Sequence, residues 1–430
     1  MSDPAGLVNR RFLLLVSGEA LSIIGDQLTR IAAIWLILEI ASNPAAVGFW
    51  LAAGAIPRAV FMLIGGAVSD RLSSRPVMIA TNLARLALVA ALAAGAALDA
   101  VTMPVLYLFA VLFGTAGAFY APALSSILPR LVGPARLQRA NSIVQGLMQL
   151  GGVIGPPVAA LLLAWLLPDP VGANLAGSTG QRAYGMVFAL DALTFAVSVW
   201  TLRAMGPAQG ERPARPPRAG ALLGDIGEGL RHVARAPRLR AFLLIALTAN
   251  IGLGGPIAVG LPLIAKFALP QGVTALGILS AAAAAGGMAG LVLAGAASVR
   301  NEAVLLALPY ALMIVLGGLM IALGQTTTLA AAAAVIAAMT LLAAYLDIQL
   351  ITWLQTRTAP DYLGRVMGLL QFAALGLAPA SMALAGLFGE ATRALFLVFG
   401  SFTILAGAAL WLARPAPARP DCGPGSAARS

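Results

Sequence analysis

Glu19, Asp26 and Arg30 stand seven and four residues apart inside one long apolar run. On a helix that spacing sets all three on one face, with Ser22 on the same stripe. Ionisable groups in an apolar segment are costly to bury and usually face a cavity, so each is a functional candidate. The chemistry open to this stripe is proton carriage by a carboxylate, ion pairing, or polar contact with a substrate. Asp26 and Arg30 are close enough in register to pair directly. The plain alternative is a structural ion pair that fixes this helix against a neighbour.

Four more charges lie within apolar runs: Arg58 after Pro57, Arg85, Asp191 and Asp347. Arg58 falls near the middle of its run. Arg85 lies about two turns from the basic end of its run and suits a structural or gating partner. Asp191 divides evenly between cavity and helix packing. Asp347, among Tyr345, Gln349 and Thr352, suits a gate in the second half of the chain. Gln138, Asn141, Gln145 and Gln149 form a polar stripe, of which Gln145 and Gln149 lie deep enough to meet a substrate or to join helices. Phe109, Phe113 and Tyr120 are candidates for an apolar binding wall.

Other chemistries lack their residues. The single cysteine, Cys422, permits no internal disulfide and no thiolate cage. The single histidine, His232, forms no cluster, so no zinc site and no other metal is expected. No Walker-type phosphate loop is present, and the only lysine is Lys266. No paired acid and base stands out, so the chain does not read as an enzyme, and no cofactor is expected.

The elements that must carry these residues follow from composition. Of 430 residues, 60% are hydrophobic and 10% charged, with a mean hydropathy of +0.92. Soluble domains carry about 25% charged residues, so this chain cannot cover a soluble particle of its size. Runs of roughly 20 apolar residues suffice to cross a bilayer. Hydropathy and turn signals predict twelve spans: 12–40, 45–69, 77–98, 103–128, 140–167, 183–204, 241–266, 272–298, 302–324, 328–354, 364–389 and 392–413. The first span carries charges that a signal peptide would not.

The chain divides at 205–240, a Pro- and Arg-rich linker whose second part reads as an amphipathic helix on the membrane surface. The expected units are a first six-helix half over 1–204, this linker, a second half over 241–413, and a disordered tail over 414–430. The net charge of +11 does not point to nucleic acid, because the arginines lie between apolar runs. With a cytoplasmic N-terminus, 21 basic residues fall on the cytoplasmic side and three, Arg182, Lys266 and Arg393, on the other. The positive-inside rule therefore places both termini in the cytoplasm.

Two stretches add motifs. Gly66, Asp70, Arg71 and Arg75 lie between the second and third spans, where a carboxylate beside a helix end and basic residues can hold one conformation of a moving bundle. A plain basic loop is the alternative. Gly151, Gly155 and Pro156 in the fifth span give a close-packing face next to a bend.

Twelve spans in two halves with these motifs resemble the major facilitator superfamily. Gly66-x3-Asp70-Arg71-x3-Arg75 is similar to that family's loop motif, and Gly151-x3-Gly155-Pro156 to the span-five motif of its drug–proton antiporters. Gly25-Asp26, Ala140-Asn141, Asp191-Ala192-Leu193-Thr194-Phe195 and Pro360-Asp361-x3-Arg365-Val366 resemble the macrolide-efflux and siderophore-export branch. The sequence departs from the pattern at Ser73, Ser74, Ser142 and Ala159-Ala160.

The resemblance implies an all-α membrane protein with twelve transmembrane helices in two pseudo-symmetric six-helix halves. It implies export of a bulky, partly hydrophobic compound by alternating access and proton antiport, with a siderophore as the alternative cargo. It also implies a gate motif of Gly66, Asp70, Arg71, Arg75 and Arg85, and a second-half gate with Asp347, Asp361 and Arg365. Glu19, Asp26, Arg30 and Asp191 are the candidates for proton coupling around a central cavity. Gln145, Gln149, Phe113 and Arg58 are the candidates for the substrate. The expected setting is a monomer in the cell membrane, with protons, lipid and a small molecule as partners. A non-transporting sensor or scaffold with the same fold is the competing reading.

Overall fold

The computed structural model describes residues 9–41, 43–71, 74–132, 137–167, 180–206, 237–296, 302–357 and 377–413. Among them the chain is helical, with no strand. The first six helices are α1 (Arg10–Ile40), α2 (Ala45–Arg71), α3 (Ser74–Ala97), α4 (Met103–Val132), α5 (Leu137–Leu166) and α6 (Gly180–Ala204). The seventh span is broken. It runs as α7 (Pro237–Ala249), a π turn (Asn250–Gly254) and α8 (Gly255–Phe267). Then come α9 (Val273–Ala296), α10 (Glu302–Gln325), α11 (Leu329–Arg357), α12 (Ala378–Gly386) and α13 (Thr392–Leu412).

Ten of the described helical segments are long and apolar enough to cross a bilayer, and the apolar part of α2, Ala45–Phe61, is shorter. Of the predicted eleventh span only the end around α12 falls within the described residues. Most of the 205–240 linker and all of the 414–430 tail lie outside them. The bundle's outer face is apolar, with Leu161, Trp165, Leu193, Trp200 and Leu405 more than half exposed. Such a surface suits lipid, where nothing favours charge on the outside.

Without a hydrophobic drive between helices in lipid, small residues and polar contacts bring them together. Helix α1 shows both. Its start is capped by Asn9, whose Oδ1 accepts from the Phe12 amide at 2.8 Å and whose Nδ2 donates to the Leu131 carbonyl at 2.7 Å. Gly18 and Gly25 lie on its α6 side. A Cβ at Gly18 would collide with the Thr201 hydroxyl, and one at Gly25 with the Asp191 carboxylate and Thr194 hydroxyl. On the opposite side, Gly151 of α5 lies against Ile23, and Gly155 against Gln27. Helix α1 is thus held between α5 and α6 with its polar stripe turned inward.

The two halves meet where α2 packs on α12 and α8, and where α5 packs on α9. Gly48 of α2 approaches the backbone of Met382 and Gly386. Gly277 of α9 fits against Pro156, Pro157 and Ala160 of α5. Lys266 at the end of α8 donates from Nζ to the Leu38 carbonyl near the end of α1, and its ammonium lies 5.9 Å from the Trp35 ring centre. Glu39 and Glu390 act on the same charge. All of these contacts gather toward the end of the bundle where α1 turns into α2, and they close that end.

Candidate functional site

Arg85 organises the centre of the first half. Its guanidinium lies 5.1 Å from the Phe113 ring centre, 5.3 Å from Tyr120 and 5.7 Å from Phe195. Three ring faces are an electrostatically favourable seat for a cation removed from water. The absence of a side chain at Gly117 leaves room for the guanidinium, because a Cβ there would meet it at 2.8 Å. Arg85 Nη1 pairs with Asp26 Oδ2 at 3.9 Å.

Arg85 thus has an ion-pair partner, which fits the structural of the two roles open to it. It follows the start of α3 by eleven residues, about 16 Å along the axis, which carries it to mid-bundle. Asp26 pairs with Arg85 rather than with its helical neighbour Arg30. The aromatic cage holds Arg85 toward Asp26, while Arg30 turns to the open cavity.

Behind this pair lie two further carboxylates. Glu19, 6% exposed, accepts a short hydrogen bond from the Tyr120 hydroxyl. Asp191, fully buried, accepts from Thr29 at 2.5 Å and from Thr194 at 3.0 Å. Both sit in the wall behind Asp26 and Arg30, with the Asp191 hydroxyl donors matched to its two oxygens. Asp26 differs. Its side chain is about a third open to the cavity, and its Oδ1 is buried without a hydrogen-bond partner among the described residues, as is Arg85 Nε. The cations acting on Asp26 are Arg85 first, then Arg58 and Arg30.

Two connected spaces adjoin these residues. One, of about 380 Å³, is lined mostly by the first half, with Asp26, Arg30, Arg58, Arg85, Phe109 and Phe113 on its wall. The other, of about 620 Å³, lies between the halves. Gln27, Arg30, Leu51 and Met382 border both. Gln149 lines the larger space, whereas Gln145 is exposed and lines neither. On α5, Gln145 lies one turn nearer the helix start than Gln149, outside the stretch that faces α1 and α9.

Asp347, a candidate for the second-half gate, also lines the larger space. Helix α11 continues to Arg357, so Asp347 lies ten residues, about 15 Å, inside its end. Arg75 donates to the carbonyls of Leu202 and Arg203 at 2.8 and 3.0 Å, tying the start of α3 to the end of α6. The backbone of α2 runs through Gly66, Asp70 and Arg71, but the side chains there lie outside the described residues, as do Asp361 and Arg365 entirely. Sequence reasoning missed Gln27, Thr29, Asn250 and Lys266. Only Lys266 carried a signal, as the one lysine in the chain.

No group of three or more His, Cys, Asp or Glu placed to hold a metal occurs among the described residues. A bundle of lipid-exposed helices around a charged internal cavity defines a multi-pass membrane protein. The Major Facilitator Superfamily profile matches residues 15–380, and the chain belongs to that family. This places it among transporters rather than enzymes.

The chain is 33% identical over 248 residues to the multidrug efflux pump Tap of Mycolicibacterium fortuitum, covering 55% of this chain and 56% of Tap. It is 29% identical over 177 residues to macrolide efflux protein A of Streptococcus pyogenes, covering 39% and 42%. The matches thus span about half the length of these relatives. A bacterial homologue of the iron transporter ferroportin, solved in an inward-facing state, superposes with a TM-score of 0.71 at 15% identity, over 95% of this chain and 99% of that one. That likeness concerns the fold.

Proposed function

We propose that this protein is a secondary active exporter of a bulky, partly hydrophobic small molecule, driven by proton antiport. The observation that carries the reading is Asp26. Among the described residues it is the one first-half carboxylate on the cavity wall, it is held by Arg85 at 3.9 Å, and one of its oxygens has no partner there. A proton on Asp26 removes the charge that Arg85 answers. The guanidinium then keeps its three aromatic faces but loses its counter-ion. Glu19 and Asp191, each already hydrogen-bonded, stay in place behind the exchange.

The wall of the larger cavity mixes apolar and polar surface in nearly equal parts, with Arg30, Gln27 and Gln149 as polar points on the first-half side. Its volume suits a drug-sized molecule. With both termini in the cytoplasm, the closed end lies outside and the cavity belongs to the inward-facing state. Gly66, Asp70, Arg71 and Arg75 then belong to the cytoplasmic gate, and Asp361 and Arg365 are candidates for its second-half counterpart. The two halves, 1–204 and 241–413, rock about the cavity. The functional unit is a monomer in the cell membrane.

Energetics allow it. A 100 mV potential supplies about 2.3 kcal/mol per charge, and one pH unit about 1.4 kcal/mol. Together they support a gradient of roughly several hundredfold for one proton per cycle. The similarity to Tap and to macrolide efflux protein A supports outward transport and a drug-like cargo. The test is uptake of a macrolide and other drugs into inverted vesicles under an imposed proton gradient. Gradient-dependent accumulation is expected. Transport that ignores the gradient contradicts antiport, and no transport of any compound contradicts the exporter reading.

A further inference from the structure

We infer that Asp347 is the substrate-recognising carboxylate of the larger cavity, and that the preferred cargo is an amphiphilic organic cation. This rests on the reading of that cavity as the transport site. The space of about 620 Å³ between the halves carries two charged side chains, Arg30 from the first half and Asp347 from the second. Their situations differ. Arg30 lies one helical turn from Asp26 and is engaged by its charge. Asp347 is exposed to the cavity and has no ion-pair or hydrogen-bond partner among the described residues. Among the described residues, the second half therefore presents one unpaired carboxylate to the cargo.

The same space also has an apolar part, set toward the closed end rather than beside Asp347. Ile257 and Leu261 line the same space from α8, and Leu276 lines it from α9. The π turn is part of this wall. Ser381 Oγ accepts from the Gly255 amide at 3.1 Å and donates to the Ile251 carbonyl at 2.7 Å, so α12 braces the turn at both ends. The braced turn presents Asn250, Leu253 and Gly254 to the cavity. π turns inside helices recur at functional sites because they redirect side chains. A cation entering this space meets a charge-assisted acceptor at Asp347 and an apolar surface for its body, whereas an anion meets Asp347 as repulsion.

The test uses the full chain in lipid nanodiscs, with tetraphenylphosphonium as the cation and tetraphenylborate as the anion of the same shape. The wild type is expected to bind tetraphenylphosphonium saturably and at least about tenfold more tightly than tetraphenylborate. D347N is expected to weaken that binding about tenfold or more, while D347E stays within about threefold of wild type. R30Q, which removes a positive charge from the same cavity, is expected to tighten cation binding.

Equal binding by D347N and wild type overturns the inference, as does a preference for the anion or no binding of the cation. Should D347N fail to elute as a single species, the cation-to-anion preference of the wild type and of D347E decides the matter. The two readings fail separately. Vesicle transport of a neutral or anionic drug without tetraphenylphosphonium binding overturns the role of Asp347 and leaves the exporter standing. Tetraphenylphosphonium binding lost in D347N, with no transport of any compound, overturns the exporter and leaves the role of Asp347 standing.

Discussion

The two halves of the bundle carry charge in opposite styles. The first half buries a network in which Arg85 meets three aromatic rings and Asp26, Glu19 meets Tyr120, and Asp191 meets two threonines. The second half offers the cavity a single described carboxylate, Asp347. A network of opposed charges can change protonation and rearrange. A carboxylate without a partner is placed to select what sits against it. In the proposed reading, energy coupling belongs to the first half and recognition to the second.

Breaking the network should have the largest effect. D26N is expected to reduce proton-driven accumulation in inverted vesicles to the level of protein-free controls, since Asn carries no exchangeable charge. Next comes R85L. It leaves Asp26 beside an apolar group and empties the aromatic cage, and truncating one partner of a buried pair costs about 3–5 kcal/mol. Because Asp26 is partly open to the cavity, the lower end, about 3 kcal/mol, is expected, read as a fall in Tm of the purified protein. D347N, whose side chain leaves no partner behind, should change stability by less than about 1 kcal/mol. If D347N costs as much as R85L, the contrast between the halves fails.

The remaining predictions concern the closed end, where the halves touch. G48L forces a side chain into the backbone of Met382 and Gly386. Overpacking of this kind costs about 1–3 kcal/mol, and it should populate the state open at that end. Distances between spin labels placed in the α1–α2 and α12–α13 turns should lengthen. K266M removes the donor to Leu38 and should act in the same direction but less, by about 1–2 kcal/mol. Unchanged distances in both variants would mean that these contacts do not set the closed state.

The spans were legible because the length of an apolar run is a local property. The face shared by Glu19, Asp26 and Arg30 was legible for the same reason, through helical periodicity. Pairing was not. Arg85 reaches Asp26 from another helix, and Lys266 reaches Leu38 across 228 positions of sequence. The π turn left no periodic mark. Its glycines Gly252 and Gly254, and Gly255 just after it, look like any flexible point until Ser381 is seen to brace it.

Proton movement in proteoliposomes tests the central claim most directly. A pH-sensitive dye inside the vesicles reports protons while an outward gradient of a transported drug is imposed, for wild type and D26N side by side. Wild type is expected to move protons against the drug, while D26N exchanges labelled for unlabelled drug across the membrane yet moves no protons. Proton movement by D26N equal to wild type would contradict the account.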